Sequence, residues 1–147
     1  KLKRLPYYRG DWNPAMRTAI NSGDYHVPLD GFSQIVLTAP SDRMAYVSGL
    51  TARNKDGTIV GVGDMGAQTR QVLENITTVL SAVQSTLDDV VQIRSYVTDI
   101  SRWDEIEPVW REYWGDGPWP ASTMVQVSQL FDPQLLIEID VVATVPG

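Results

Sequence analysis

The side chains that most often carry nucleophilic or metal chemistry are almost missing from this chain of 147 residues. It has no cysteine, which excludes thiol catalysis, disulfides, iron–sulfur clusters and cysteine-ligated zinc together. Its single histidine, His26, excludes any site that needs two imidazoles, so a metal would have to be held by carboxylate or carbonyl oxygens, and nothing in the spacing favours one. His26 reads as a packed or exposed loop residue rather than a base. What remains for chemistry is acid–base work by carboxylates, hydrogen bonding by hydroxyls and walls of aromatic rings. No cofactor and no metal are expected.

Residues 1–32 carry prolines, glycines and scattered aromatics (Tyr7, Tyr8, Trp12, Tyr25, Phe32) without a two-residue or 3.6-residue period. This stretch is read as an irregular arm that packs over the body or a neighbouring subunit, and 33–147 as one globular domain. Gln34-Ile-Val-Leu-Thr38 and Met44-Ala-Tyr-Val-Ser48, separated by Ala39-Pro-Ser-Asp42, predict a hairpin, and Thr58-Ile-Val60 a further strand after the turn Asn54-Lys-Asp-Gly57. Asp64 stands where a helix N-cap belongs, ahead of an apolar stripe at Met65, Val72, Ile76, Val79, Leu80 and Val83. Leu87-Asp-Asp89 punctuates the chain, the aspartates forming a solvated cap, and Val90–Val97 predicts a central strand. A second helix over about Arg102–Trp114 has Trp103, Ile106, Trp110 and Tyr113 or Trp114 at facing spacing and tolerates Pro108 only in its first turn. After the break Gly115-Asp-Gly-Pro-Trp-Pro120, two strands over Thr123–Val127 and Leu135–Val145 close the order β-β-(β)-α-β-α-β-β. Helices on one face of a mixed sheet make an α+β layer and leave the other face needing cover, which oligomerisation would supply.

Twelve basic against eighteen acidic residues give a net charge of −6, which repels phosphate backbones, so nucleic acid is not an expected partner. No apolar run approaches the roughly 20 residues that cross a bilayer. The basic opening Lys1-Leu-Lys-Arg4 is followed by Pro6 and two tyrosines where a signal peptide has its apolar core, and the absent initiator methionine suggests trimming. The expected location is cytoplasmic, with no membrane partner.

Several strings recur in one order: Tyr46-Val-Ser-Gly49, Gly57-Thr-Ile-Val-Gly-Val-Gly-Asp64, Gln68-Thr-Arg-Gln-Val-Leu-Glu-Asn-Ile76, Leu87-Asp-Asp-Val-Val91, Tyr96-Val-Thr-Asp99, Pro120-Ala121 and Ile137-Glu-Ile-Asp140. Through them the chain resembles the RidA/YjgF proteins over residues 31–145. The resemblance implies a chorismate-mutase-like fold and a homotrimer whose sheets line a central barrel, with three ligand clefts between subunits. It implies hydrolysis of reactive enamines and imines to ketoacids and ammonia. The endoribonuclease activity also attached to the family sits badly with the negative charge.

Carried over position by position, Gly49 matches a glycine that offers its backbone to the ligand, and Glu138 matches the acidic residue that positions or activates water. The family's Pro-Ala-Arg reads Pro120-Ala-Ser-Thr123 here, so Ser122 stands where an arginine clamps the substrate carboxylate. Phe32 replaces a ligand-facing tyrosine, Glu107 an asparagine on the second helix and Met124 a frequent cysteine. An arginine grips a carboxylate with two charged hydrogen bonds and a serine offers one neutral one, so a small anionic imine should bind at least about tenfold worse if nothing replaces the clamp. The expected site therefore places Glu138, Ser122 and Glu107 in the chemistry, with Glu138 and Glu107 able to act as a carboxylate pair. Gly49, Phe32, Thr123, Trp110 and Trp119 are expected around the ligand. Ser122 hydrogen-bonds rather than attacks, because no histidine or lysine sits in a recognisable base position. Core or interface is the default for Trp103, Trp110 and Trp114, and packing and subunit contacts are the default for Gln68 and Asn75.

The resulting expectation is a hydrolase or deaminase acting on a C–N substrate other than the standard 2-iminoacids, with a neutral or cationic, larger ligand. A cyclisation or isomerisation in the same pocket, and a non-catalytic trimeric binder or partner protein, stay open beside it.

Overall fold

The computed structural model describes residues 18–20, 35–38 and 42–146. Its elements run β1 (Thr18–Ile20), β2 (Ile35–Leu37), β3 (Arg43–Thr51), α1 (Met65–Ser81), β4 (Val90–Val97), α2 (Trp103–Trp114), β5 (Ala121–Gln126) and β6 (Ile137–Val145). Four of the strands form one sheet in the order β3-β6-β4-β5, antiparallel except for the parallel β4–β5 pair that α2 bridges. This is the mixed sheet with two helices that the sequence predicts.

The predicted hairpin does not form. β2 pairs instead with β1, while β3 pairs along its length with β6. Long-range pairing wins because β6 alternates without fault: Ile137, Ile139, Val141, Ala143 and Val145 are buried and the residues between them are partly exposed. Leu50, Val47 and Ala45 fall opposite Ile139, Val141 and Ala143 and complete the same apolar face. The predicted strand at Thr58–Val60 reduces to one bridge between Arg53 and Ile59. β1 lies inside the stretch read as an irregular arm, and its ladder with β2 crosses the expected boundary at residue 32. The rest of that arm, Phe32 included, lies outside the described residues.

α1 starts where expected, the Asp64 carboxylate accepting from the Ala67 N–H at 2.8 Å. It buries Met65, Thr69, Val72, Leu73, Ile76 and Leu80 against the sheet. Each large apolar side chain so buried stabilises the fold by about 1.5–3 kcal/mol. α2 buries Ile106, Val109, Trp110 and Trp114. Pro108 sits in its second turn, not its first: Asp104 and Pro108 are both exposed, so the carbonyl that the proline cannot serve is open to water. Trp110 is fully buried at the centre of three edge-on ring contacts, with Trp103 at 5.7 Å, Trp114 at 5.8 Å and Trp119 at 5.8 Å. Across the outer surface Arg70 of α1 grips Glu112 of α2 through bonds of 2.7–3.1 Å. No helix among the described residues is long and apolar enough to cross a membrane.

Candidate functional site

Strand alternation divides the candidates between two faces. On β6, Glu138 and Asp140 alternate with the buried isoleucines and so point away from the helices. Glu138 lies opposite Thr51 of β3 on one side and Tyr96 of β4 on the other. Asp140 lies opposite Arg94, whose Nε donates to Asp140 Oδ1 at 2.8 Å and whose guanidinium that bond holds above its ordinary pKa. Thr123 of β5 is the neighbour of Arg94 on the same face.

Gly49 and Glu138 meet directly. The β3–β6 register slips between Val47 and Leu50, a bulge that brings the Gly49 backbone over β6. A Cβ at position 49 would lie 2.1 Å from Glu138 Oε1, so only glycine lets the carboxylate rest there.

Two carboxamides on the buried side of α1 fix the strands that carry this pair. Gln68 is fully buried; its Nε2 donates to the Gly61 and Gln134 carbonyls at 3.2 and 2.8 Å, and its Oε1 accepts from the Leu136 N–H at 2.8 Å, two residues before Glu138. Asn75 Nδ2 donates to the Thr51 and Arg53 carbonyls at 2.9 and 2.8 Å, and so holds the end of β3 that faces Glu138. Sequence reasoning gave both to packing and subunit contacts; within the chain they seat the backbone of the candidate site. Arg53 adds a tie between loops, donating to the Gly57 carbonyl at 2.7 Å and pairing with Asp132 at 3.1 Å.

Ser122 stands on the other side of the sheet. Its neighbour on β4 is Ile93, which is fully buried toward the helices, so Ser122 faces the helix layer at the sheet's β5 edge. Glu107 belongs to that layer as well. It is paired with Arg111 and not with Glu138, so the expected carboxylate pair does not form within one chain. Arg111 also reaches Asp116 at 2.9 Å, and its guanidinium lies 5.4 Å from the centre of the Trp119 ring, just ahead of β5. Its bond to Glu107 is the largest cause holding Arg111 above its ordinary pKa. Trp110 and Trp119 are interior in the protomer, with Trp119 Nε1 bonded to the Gly115 carbonyl at 2.9 Å.

Sequence reasoning missed Arg94 and Tyr96. The signal was available: alternation through Val90–Val97 and Ile137–Val145 puts Arg94, Tyr96, Glu138 and Asp140 on one face. Among the described residues no group of three or more histidine, aspartate or glutamate side chains could hold a metal ion.

Residues 25–145 match the protein family described as Endoribonuclease L-PSP. The chain is 33% identical over 129 residues to the RutC family protein PH0854 of Pyrococcus horikoshii, covering 87% of this chain and 98% of that protein. Among solved structures it is similar to YyfB of Yersinia pestis, a protein of unknown function of the conserved Rid family, with 35% identity, a TM-score of 0.78 and coverage of 87% and 98%. It is likewise similar to Rv2704 of Mycobacterium tuberculosis, of the YjgF/YER057c/UK114 family, with 35% identity, a TM-score of 0.60 and coverage of 88% and 99%.

Proposed function

The chain belongs to the RidA/YjgF family, the Rid proteins, and on that premise we propose that it hydrolyses an enamine, imine or related C–N compound other than the standard 2-iminoacids, with Glu138 handling the proton in a cleft between subunits. The observation that carries this reading is the contact of the Glu138 carboxylate with the Gly49 backbone, which seats an acid–base group beside an exposed stretch of main chain able to hydrogen-bond a ligand. In the hydrolysis, water adds to the imine carbon while Glu138 takes its proton. That proton is returned to nitrogen to give a carbinolamine, whose hydroxyl then yields its own proton to nitrogen through Glu138 as the C–N bond breaks, and a carbonyl compound and ammonia leave.

Ser122 and Glu138 sit on opposite faces of one sheet, so a single protomer does not bring them to one ligand; a cleft shared by two copies of a homotrimer does. At the Ser122 end the ligand meets one neutral hydroxyl where the family has an arginine, an environment for a neutral or cationic group. That same loss of a free clamp favours one other reading, a trimeric small-molecule binder without catalysis. A cytoplasmic small-molecule role fits both.

Glu138→Gln separates the two. With an imine that carries no carboxylate on its C–N carbon as substrate and ammonia release followed, the substitution should lower turnover by about 10²-fold or more while light scattering shows the assembly intact. Near-normal turnover removes Glu138 from the mechanism.

A further inference from the structure

The face turned away from the helices carries a second charged group beside Glu138, one absent from the sequence reading of the site. Glu138 stands opposite Tyr96, and two residues on along β6, two residues back along the antiparallel β4, Asp140 stands opposite Arg94. Diagonal neighbours on such a pair lie about 7–8 Å apart, within reach of one small molecule. The Arg94 guanidinium is held side-on: Nε bonds Asp140, whose side chain is 13% exposed, while Arg94 itself is 50% exposed. Its two terminal nitrogens make no hydrogen bond among the described residues, which leaves the end-on fork unengaged, the part of the group that grips a carboxylate with two parallel bonds. Thr123 on β5 adds a hydroxyl next to it.

We propose that Arg94 is the specificity-determining residue of the Glu138 site, holding an anionic group of the substrate at a distance from the bond that is cleaved. Side chains on a strand stand roughly perpendicular to the sheet, so a ligand lying across their tips presents its two groups at about the spacing of the residues beneath. A carboxylate borne on the C–N carbon itself is too close to that carbon to span the gap. The substrate class is therefore an imine or enamine whose carboxylate sits several bonds from the C–N carbon, the near end meeting Glu138 and the far end Arg94. Asp140 positions the guanidinium and does not touch the ligand. This inference rests on the reading of Glu138 above and adds to it the chemistry of the far end.

The test uses two isomeric ketoacids as product probes, 2-oxohexanoate and 5-oxohexanoate, titrated calorimetrically into the full chain. They differ only in how far the carbonyl lies from the carboxylate. The expected result is that 5-oxohexanoate binds about tenfold or more tightly than its isomer and that Arg94→Gln abolishes the preference. Arg94→Lys, which keeps the charge beside Asp140 but loses the fork, should retain the fold and give an intermediate preference. Equal binding of the isomers, a preference that survives in Arg94→Gln, or no binding of either overturns the proposal. Failure here is distinguishable from failure of the catalytic reading, because Glu138→Gln reports on turnover alone and leaves a residue that can still hydrogen-bond a product carbonyl.

Discussion

Replacing Gly49 with alanine isolates the seat of the Glu138 carboxylate from the stability of the fold. The added Cβ would lie 2.1 Å from Oε1, 2.9 Å from Cδ and 3.0 Å from Cγ of Glu138, so the oxygen has to withdraw by 1.3 Å to reach the 3.4 Å at which ordinary contact begins. The obstacle is the far end of a flexible side chain and not backbone. Turning that side chain off its rotamer costs about 0.5–1.5 kcal/mol, while alanine for glycine in a backbone that tolerates it returns about 0.4–1 kcal/mol through the unfolded chain. The two nearly cancel, and Tm should stay within about 5 °C of the parent. Function should not cancel: a displacement of about 1 Å at a group that must meet reacting atoms costs about 10²-fold in rate. Three measurements follow: thermal unfolding, ammonia release from an imine without a carboxylate on its C–N carbon, and carboxyl ¹³C NMR of glutamate-labelled protein to report movement of Glu138. Unchanged turnover in a variant whose Glu138 signal has shifted would refute the role assigned to that carboxylate. A collapse of Tm would show instead that Gly49 serves the fold.

Other outcomes are expected on the same grounds. Light scattering at micromolar concentration should return about three times 16.4 kDa, because the sheet face away from the helices needs cover, and a monodisperse monomer would remove the shared cleft. The unmodified protein should hydrolyse 2-aminoacrylate poorly and Ser122→Arg should raise that rate; since Glu107 could capture the new guanidinium, the double variant with Glu107→Asn is decisive, and robust activity of the parent on 2-iminoacids would defeat the substrate assignment. Arg70 holds the Glu112 carboxyl below its ordinary value of 4.5, so the stability this pair adds is present at neutral pH and is lost as the pH falls through the lowered value. Glu112→Gln should therefore reduce the difference between urea midpoints at pH 7 and pH 3, an effect that high salt weakens; an unchanged difference would show that the pair contributes nothing.

Periodicity made the body of the fold legible. The 3.6-residue stripe after Asp64 and the two-residue alternation of Ile137–Val145 each follow from one buried face, and both elements appear where the spacing puts them. Pairing was less legible: Gln34–Thr38 and Met44–Ser48 are local neighbours with hairpin chemistry, yet β3 joins a strand about ninety residues on, because β6 offers a matching apolar face of five alternate residues. At the site, residue identity located Glu138 and Gly49 through the family resemblance, and the structure adds that they touch. That Ser122 and Glu138 take opposite faces depends on the register of β5 against β4, which no single segment reveals. The roles of Gln68 and Asn75 were hidden for a similar reason, since their partners are main-chain groups of distant loops whose side chains carry no trace of the contact.

The position of β6 in the sheet bears on how the protein is made. It lies between β3 and β4 although it is the last of these strands in chain order, so every ladder that joins the two sides of the sheet waits for it. A nascent chain that has released α1, β4 and α2 from the ribosome still lacks the middle of its sheet, with one unpaired edge on β3 and another on β4. Such a chain exposes the apolar faces of both helices at the stage when aggregation is easiest. Synthesis to residue 145 converts it in one step, because the strand that closes the core also delivers Glu138 to Gly49. Stability and the candidate chemistry thus arrive together, and a chain halted before Ile137 should have neither.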